Sequence, residues 1–546
     1  MIRELIRQLL TEAIEEGQKH GKVPFFGCEK IEITVPPKGV GADYSTNIAL
    51  VAGKKVKQNP MDIAETIEEY LRNRGVGQPG ECAQDIKIEK PGFINFYVPD
   101  SAKLEEVFLM LKEKEDYGNL KIGQKKKVQV EFISANPTGP LTLGNGRGGF
   151  YGDVLANVLQ KANFKVTREY FINDAGHQVR VLGHSVLGDE QAQYKGQYID
   201  DLRKRLKDSL NEEPKKIGEK AAKIILEEMI KPTVTERMKI KFDEWVSEHE
   251  LHESGTPEKV LKALKKNDLI YEADGATWFK STLFGDDKDR VLITSDKTAK
   301  NGEATYFLAD IAYHYNKFKK EKFEEVIDIW GADHYGYINR LQAAMKALEL
   351  PGELNIVIMQ LVRLFEGGKE VKMSKRLSTY VTLDELLEEI PLDVARFFFL
   401  MRSPDTHMDF DLDLAKEQSE KNPVYYVQYA HARVCSIIKK AKDLGLESDR
   451  KAIPRLKPEK AERELIGQLV KFPEIVEDIA RDYQVHRLPQ YALELVRAFH
   501  KFYEECRVID PENKELTAMR LALVDAVKII LENTLGLMGI SAPEKM

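Results

Sequence analysis

The chain has 546 residues, which is too long for one compact core, so several domains are expected. Its net charge of −7 excludes a globally basic nucleic-acid-binding protein, so any nucleic acid would have to meet local basic patches. Four widely spaced cysteines form no CxxC pair, which argues against a zinc knuckle and a disulfide framework. Without a signal peptide or a run of roughly 20 apolar residues, we expect a cytoplasmic protein that does not enter a membrane.

Residues 1–110 mix helical and strand patterns and predict a small N-terminal α+β domain. Ile2, Ile6 and Leu9 recur at helical spacing, whereas "KIEITVPP" and "DIKIEKPGFINFYV" alternate as strands do. The charged, turn-rich segment 111–127 is typical of a linker.

A strand–loop–helix–strand pattern follows this linker. "VQVEFISA" and "KVTREYFIND" predict strands, and the Gly-rich segment 134–162 between them opens a helix. Such a unit is the building block of a parallel α/β sheet. Residues 186–265 are helical and highly charged, and we expect them to form an insertion outside the sheet.

The remaining patterns predict a multidomain α/β protein. The sheet resumes at "EEVIDIWGADH", and three amphipathic helical patterns after residue 415 predict an all-α domain. The expected boundaries are 120–385 for an α/β domain, 386–420 for a connecting segment and 421–546 for the helical domain.

The Gly-rich segment contains a G-x-G-x-x-G match at Gly144, Gly146 and Gly149. In a dinucleotide-binding fold this loop follows the first strand tightly, but here about nine residues separate the strand from Gly144. A nicotinamide-dependent oxidoreductase is therefore a weak alternative. A turn that only lets a helix pack closely is the other alternative.

A second loop carries three cations. Lys372, Lys375 and Arg376 follow the Gly367–Gly368 turn, and a Thr382 capping box starts the next helix. Such a loop is suited to a mobile clamp on phosphate, although a charge run by itself is usually a solvated face.

Taken together, the two loops resemble the signature pair of class I aminoacyl-tRNA synthetases. "PLTLGN" stands ahead of a helix, and "KMSKR" follows about 230 residues later. The first element of that family is usually His-x-Gly-His, whereas Thr142 and Asn145 stand here, in a form similar to tryptophanyl enzymes. A hydroxyl and an amide still donate to ATP phosphates but cannot carry positive charge, so we expect a working loop without that charge.

Motifs along nearly the whole chain narrow the resemblance to bacterial-type arginyl-tRNA synthetases. They include "KPGFINFYV", "FINDAGHQ", "YFLADIAYHYNKF", "IDIWGADHYGYI", "NPVYYVQYAHARVCSI" and the terminal "LGLMGISAPEKM". His177 and Tyr335 depart from the usual Asn and His of the family. The resemblance implies a Rossmann-like catalytic domain and an anticodon-binding helical domain. It also implies an arginine–tRNA ligase that forms arginyl-adenylate from L-arginine and ATP, releases pyrophosphate and esterifies the 3′ end of tRNA(Arg).

An arginine pocket must offer carboxylates to a planar guanidinium fork. Acidic residues inside otherwise apolar patterns are the candidates, and Tyr306 and Asp310 share one helical face. The residues that match the family's arginine-binding positions are Glu131, Asn136, Glu248, Tyr306, Asp310 and His334, with Gln178 as a weaker candidate.

The resemblance also implies the ATP site and the groups that act on it. Thr142, Asn145, Lys372 and Lys375 would be the catalytic residues. ATP would contact Gly144, Gly146, Gly331, Asp333, Met359, Val362, Met373 and Ser374. We expect Mg²⁺ to arrive with ATP, held mostly by phosphates and water, and no tightly bound metal.

Transfer RNA would contact both terminal domains. Phe93 and Asn95 match positions that meet the D-loop, and Tyr426, Tyr429 and Met546 match anticodon-loop contacts. The alternative for each of these aromatic residues is a packing role in the hydrophobic core.

We expect a monomer. A paralogue that binds tRNA but no longer activates arginine is the remaining alternative, raised by the missing histidines.

Overall fold

A computed structural model describes residues 1–27, 31–37, 39–74, 83–295, 303–371 and 381–546. Residues 2–98 surround a hydrophobic core of their own. Helices α1 (Ile2–Lys19), α2 (Ile48–Val56) and α3 (Pro60–Asn73) accompany an antiparallel sheet ordered β1-β3-β2, with β1 Tyr44–Thr46, β2 Asp85–Glu89 and β3 Phe93–Tyr97.

Two details of this region differ from the sequence patterns. "KIEITVPP" contributes only an isolated bridge between Thr34 and Ser45, because the two prolines that follow lack the N–H donors of a ladder. The predicted linker is in part helical, since α4 (Asp100–Glu113) continues into it. Leu104, Val107 and Met110 of α4 pack into the main core, where α4 contacts helical residues within 453–469 and 514–537, so this connection is fixed against the C-terminal region.

The central sheet is five-stranded and parallel, in the order β11-β10-β4-β5-β6. Its strands are β4 (Lys127–Glu131), β5 (Lys165–Ile172), β6 (Glu244–Ser247), β10 (Glu325–Gly331) and β11 (Glu353–Met359). The helices associated with it are α5 (Leu143–Lys161), α11 (Tyr306–Tyr315) and α12 (Ile338–Ala347). This is the parallel α/β architecture that the sequence predicts.

The insertion is shorter than the predicted 186–265. It contains α6 (Gly176–Leu187), α7 (Gln197–Arg205), α8 (Pro214–Ile225) and two π-helical segments, Leu226–Ile230 and Thr233–Arg237. Strand β6 then pairs with β5, so Glu244–Ser247 belongs to the central sheet. Four residues with a charged first position show too little alternation for sequence periodicity to detect.

Two small sheets and several short helices complete the α/β region. Helices α9 (Glu248–Glu253) and α10 (Thr256–Lys266) precede a sheet of β7 (Ile270–Ala273), β8 (Ala276–Phe279) and β9 (Arg290–Ile293). The other sheet contains β12 (Val362–Glu366), β13 (Lys369–Glu370) and β14 (Met408–Asp411), flanked by α13 (Leu383–Glu389), α14 (Leu392–Leu400) and α15 (Leu412–Lys416).

The C-terminal region is helical, as predicted. Its helices are α16 (Pro423–Asp443), α17 (Lys460–Leu469), α18 (Phe472–Asp482), α19 (Arg487–Glu505) and α20 (Lys514–Leu537). Their apolar faces and those of α5 and α14 form one continuous core. At this junction the buried Arg396 guanidinium donates to Asp153 at 2.8 Å and to the Met538 carbonyl at 3.1 Å.

Neither a membrane-crossing helix nor a disulfide occurs in the described part of the chain. No described helix combines the length and the apolar character that a bilayer span needs. Cys435 and Cys506 are free thiols. Cys28 and Cys82 lie outside the described residues.

Candidate active site

A cavity of about 790 Å³ opens where β10 and β11 end and α5 begins. Ligands of α/β proteins bind at this carboxyl edge of the sheet. Seven residues predicted from the sequence line the cavity: Thr142, Gly144, Asn145, Gly331, Asp333, Met359 and Val362. Residues from three separate sequence segments, 142–145, 331–333 and 359–362, therefore meet in one place.

Thr142 and Asn145 form a capping box at the start of α5. The Thr142 hydroxyl accepts from the Asn145 backbone N–H at 3.4 Å, and the Asn145 Oδ1 accepts from the Thr142 N–H at 2.9 Å. The Thr142 hydroxyl can also donate to that oxygen, at 2.8 Å. The pair therefore fixes the helix N-terminus and leaves the amide nitrogen of Asn145 as its donor for a ligand.

We expect Thr142→Val to lower the free energy of unfolding by about 1 kcal/mol, because the isosteric change removes the capping oxygen. Urea unfolding measures this. Thr235→Val is the matched control, since the exposed Thr235 hydroxyl only donates to the Lys231 carbonyl within its own helix. Equal losses in both variants would contradict a special role for the capping box.

Gly146 lies beneath the cavity and is not part of its lining. Its N–H donates to the Thr142 carbonyl at 3.1 Å, so it is committed within the helix. A Cβ there would come within 2.6 Å of Leu383, which leads α13. Glycine at this position serves close helix packing, which the G-x-G pattern by itself could not distinguish from phosphate contact.

The described residues on either side of the second signature segment line the same cavity. Lys372, Met373, Ser374 and Lys375 lie outside the described residues. The cavity lining includes Val371 before this segment and Val381 after it. Thr382 bridges to Thr142, and the Leu383 N–H donates to the Leu141 carbonyl at 2.9 Å. The first signature loop is therefore hydrogen-bonded to the chain that leaves the second.

Arg147 is a functional candidate that the sequence analysis missed. It is fully buried and donates to the carbonyls of Gln360 at 2.7 Å, Thr406 at 2.9 Å and Ser403 at 2.7 Å. Burial lowers the pKa of its guanidinium to about 10, so it remains charged at neutral pH. Gln360 lines the cavity. The signal in the sequence is a lone arginine among the glycines of "GNGRGG".

A second region concentrates buried carboxylates on the other side of β4. Burial raises the pKa of Asp310 well above its ordinary value, and the charges of Glu248 and Glu131 raise it further. Glu248 is 5% exposed, and its nearest cation is the His252 imidazole at 3.6 Å. Within the described residues no cation forms an ion pair with Asp310. An acidic pocket that no cation of the protein neutralises is suited to a cationic ligand.

Glu131 differs from these acids because both of its oxygens have partners. Ser134 donates to Oε1 at 2.9 Å, while Tyr313 at 2.9 Å and Lys317 at 2.5 Å donate to Oε2. The chain turns sharply after β4, with positive φ at Ile133 and Ser134. This left-handed turn is costly for a branched side chain and brings Ser134 back to Glu131.

The remaining arginine candidates surround this region. Asn136 donates to Gln178 at 2.6 Å, which links the loop after β4 to α6. His334 lies in the short turn after β10, with its ring 5.9 Å from that of Trp330. The exposed Tyr306 ring stands 6.3 Å from that of Tyr337.

The five predicted tRNA-contacting residues differ in accessibility. Phe93 is 38% exposed on β3, but Asn95 is 2% exposed and its amide nitrogen has no hydrogen-bond partner. Tyr426 and Tyr429 do not form one aromatic pair, because Tyr426 packs against His500 and Tyr429 against Tyr425. Met546 is exposed. A three-residue spacing on a helix does not decide which neighbour each ring contacts.

Comparison with known proteins covers almost the entire chain. The family "Arginyl tRNA synthetase N terminal domain" matches residues 2–98. "tRNA synthetases class I (R), catalytic domain" matches 106–401, and "DALR anticodon binding domain" matches 427–546.

Individual relatives agree with these domain matches. The chain is similar to the arginine–tRNA ligase of Caldanaerobacter subterraneus, with 41% identity over 100% of the chain and 99% of that protein. It is 44% identical to that of Shouchella clausii over 94% of each. Its fold is similar to Thermus thermophilus arginyl-tRNA synthetase, with a TM-score of 0.77, 24% identity and coverage of 99% of this chain and 100% of that one.

Proposed function

The chain belongs to the class I arginyl-tRNA synthetases, and from this premise we propose which of its residues carry each step of arginine–tRNA ligation. The ligase activates arginine with ATP as arginyl-adenylate and then transfers arginine to tRNA. The protein has little covalent chemistry to perform, so it works by positioning the reactants and stabilising charge.

ATP, as its magnesium complex, occupies the cavity at the start of α5. The backbone at Met359 and Val362 faces adenine, and Asp333 faces the ribose, because these groups line the cavity at the ends of β11 and β10. Asn145 and the N-terminus of α5 face the phosphates. Lys372 and Lys375, on the segment whose flanks line the same cavity, close over the leaving pyrophosphate.

Arginine occupies the acidic pocket beside this cavity. Asp310 and Glu248 accept the guanidinium, because the half-buried Asp310 and the buried Glu248 have no strong cationic partner in the described part of the protein. Tyr306 borders the same pocket. Glu131, Asn136, Gln178 and His334 contact the rest of the amino acid, whose carboxylate attacks the α-phosphorus.

The Asp310 carboxyl, which has no ion-pair partner among the described residues, is the single observation that carries this assignment. A buried carboxylate without a cation is costly, and a bound guanidinium removes that cost. The two alternatives, a nicotinamide-dependent oxidoreductase and a paralogue that does not activate arginine, give no such reason for an aspartate at position 310.

The two terminal domains contact tRNA(Arg) in this proposal. Phe93 stacks on an exposed base of the D-loop, with Asn95 behind it, and the anticodon loop meets Tyr426, Tyr429 and Met546. The matches of the terminal domains to the synthetase families support this. We further propose that the enzyme acts as a cytoplasmic monomer.

We expect Phe93→Ala to raise the KM for tRNA about 10-fold, the size of one lost base–aromatic stack. The KM values for arginine and ATP should not change. Phe25→Ala is the matched control, because Phe25 is 86% exposed in the same N-terminal region. Aminoacylation at varied tRNA concentration measures both, and equal effects would remove Phe93 from the interface.

Arginine-dependent ATP–pyrophosphate exchange, with and without cognate tRNA, tests the activity itself. Exchange that requires tRNA is the expected result and would show that Thr142 and Asn145 suffice for activation. Absence of exchange in both conditions, with tRNA still bound, would favour the paralogue that does not activate arginine. Binding of NAD would favour the oxidoreductase alternative.

A further inference from the structure

Three buried carboxylates form one row across the middle of the central sheet. Asp328 of β10 lies opposite Glu131 of β4, and Glu131 lies opposite Glu169 of β5. They are 0%, 6% and 2% exposed, respectively. Residues in register on neighbouring parallel strands point to the same face, so these acids stand side by side.

One helix covers the whole row. Helix α11 and its π-helical continuation Asn316–Lys320 place Lys317 over the first two acids, with Nζ 2.5 Å from Glu131 and 3.0 Å from Asp328. The His314 Nε2 lies 2.8 Å from the other Asp328 oxygen. The Tyr313 hydroxyl lies between Glu131 and Glu169, so it can donate to Glu131 while it accepts from the protonated Glu169.

The three acids in this row differ in the cations beside them and in their protonation. Burial opposes ionisation of Asp328, but Lys317 and His314 together lower its pKa to about 2. Burial raises the pKa of Glu169 to about 8, so it is mostly protonated at neutral pH. Among the described residues, Lys317 is the only cation within ion-pair distance of Glu131. Lys317 is therefore the one described cation that compensates Glu131, whereas Asp328 has His314 as a second partner.

We propose that Lys317 is a positioning residue for arginine, which holds Glu131 ionised and fixes its Oε2 while Lys317 itself touches no substrate. This inference rests on the proposed function of Glu131 as an arginine contact. The geometry supports it because Lys317 lies on the same helix as Tyr306 and Asp310, about three turns after the first and two turns after the second. The helix that forms the acidic pocket thus also supplies the cation beneath it.

Lys317→Met is the direct test. Without the ammonium, Glu131 and Asp328 face each other as like charges, and Glu131 loses the donor that fixes its Oε2. We expect the KM for arginine to rise about 10- to 100-fold at pH 7, with the KM for ATP unchanged.

A charge-conserving variant separates positioning from packing. Lys317→Arg keeps a cation beside Glu131 and Asp328, so its KM for arginine should stay near that of wild type while Lys317→Met raises it. A Lys317→Arg variant as impaired as Lys317→Met would overturn the inference. Lys320→Met is the matched control, because the Lys320 side chain on the same π-helical segment is 74% exposed.

Glu131→Gln distinguishes failure of this inference from failure of the proposed function. A wild-type arginine KM in Glu131→Gln would remove Glu131 from the pocket and, with it, the inference. A raised KM in Glu131→Gln beside an unchanged KM in Lys317→Met would overturn only the role of Lys317. If Lys317→Met does not fold, Lys317→Gln carries the same test, since it retains a polar donor but no charge.

Discussion

Asp310→Asn is expected to lower kcat/KM for arginine about 100- to 1,000-fold, the loss associated with breaking a buried charge pair. The amide keeps the shape of the side chain but cannot pair with a guanidinium. The KM for ATP should stay within about twofold, because Asp310 does not line the ATP cavity. Aminoacylation at varied arginine and ATP concentrations measures the kcat/KM for arginine and the KM for ATP separately.

The same substitution should not destabilise the free protein. Burial and neighbouring acids raise the pKa of Asp310, so its protonated form is favoured in the fold. An acid with a raised pKa reduces folding stability as pH rises above its unfolded value of about 4, and the amide removes that loss. Asp310→Asn should therefore be at least as stable as wild type, by a margin that grows toward pH 8 in thermal unfolding.

Asp268→Asn is the control, because this aspartate is 93% exposed and pairs with Lys280 at 3.1 Å. It should change neither arginine use nor stability measurably. Equal losses for arginine and ATP in Asp310→Asn, together with a lower unfolding temperature, would make Asp310 a structural residue. The proposed arginine pocket would then have to be abandoned.

Arg147→Met is expected to lower the free energy of unfolding by about 2–3 kcal/mol, because three partly buried backbone carbonyls lose a charged donor. Within the described residues no carboxylate forms an ion pair with Arg147, so no buried anion is left behind. The KM for ATP should rise about 10-fold, since the Gln360 carbonyl belongs to the cavity wall.

Urea unfolding and pyrophosphate exchange at varied ATP measure these two effects. Arg205→Met is the control, because Arg205 pairs with Glu228 at 2.6 Å between half-exposed side chains. Arg205→Met should lower the free energy of unfolding by less than about 1 kcal/mol. A stable Arg147→Met enzyme with wild-type ATP use would show that the three carbonyls find other partners.

Local signals explain why most elements and signature segments were predictable. Residue type and spacing along the chain identify the strand before Thr142, the helix after it and the acids inside apolar patterns. Two details of packing lay beyond these signals. Gly146 packs against Leu383, and Tyr426 and Tyr429 contact different rings, because a pattern along one helix does not specify what packs against it. The predicted contacts of these residues with ATP and tRNA stay predictions.

The sequence by itself determined the class of fold, the family and the candidate groups for ATP, arginine and tRNA. Only the tertiary structure decided which acids remain unpaired. Lys317 neutralises Glu131, which is 186 residues away along the chain, and leaves Asp310 on its own helix without a cation. That outcome depends on the strand order β11-β10-β4-β5-β6, which sets Asp328, Glu131 and Glu169 side by side. Strand order is a property of long-range packing, and no local pattern records it.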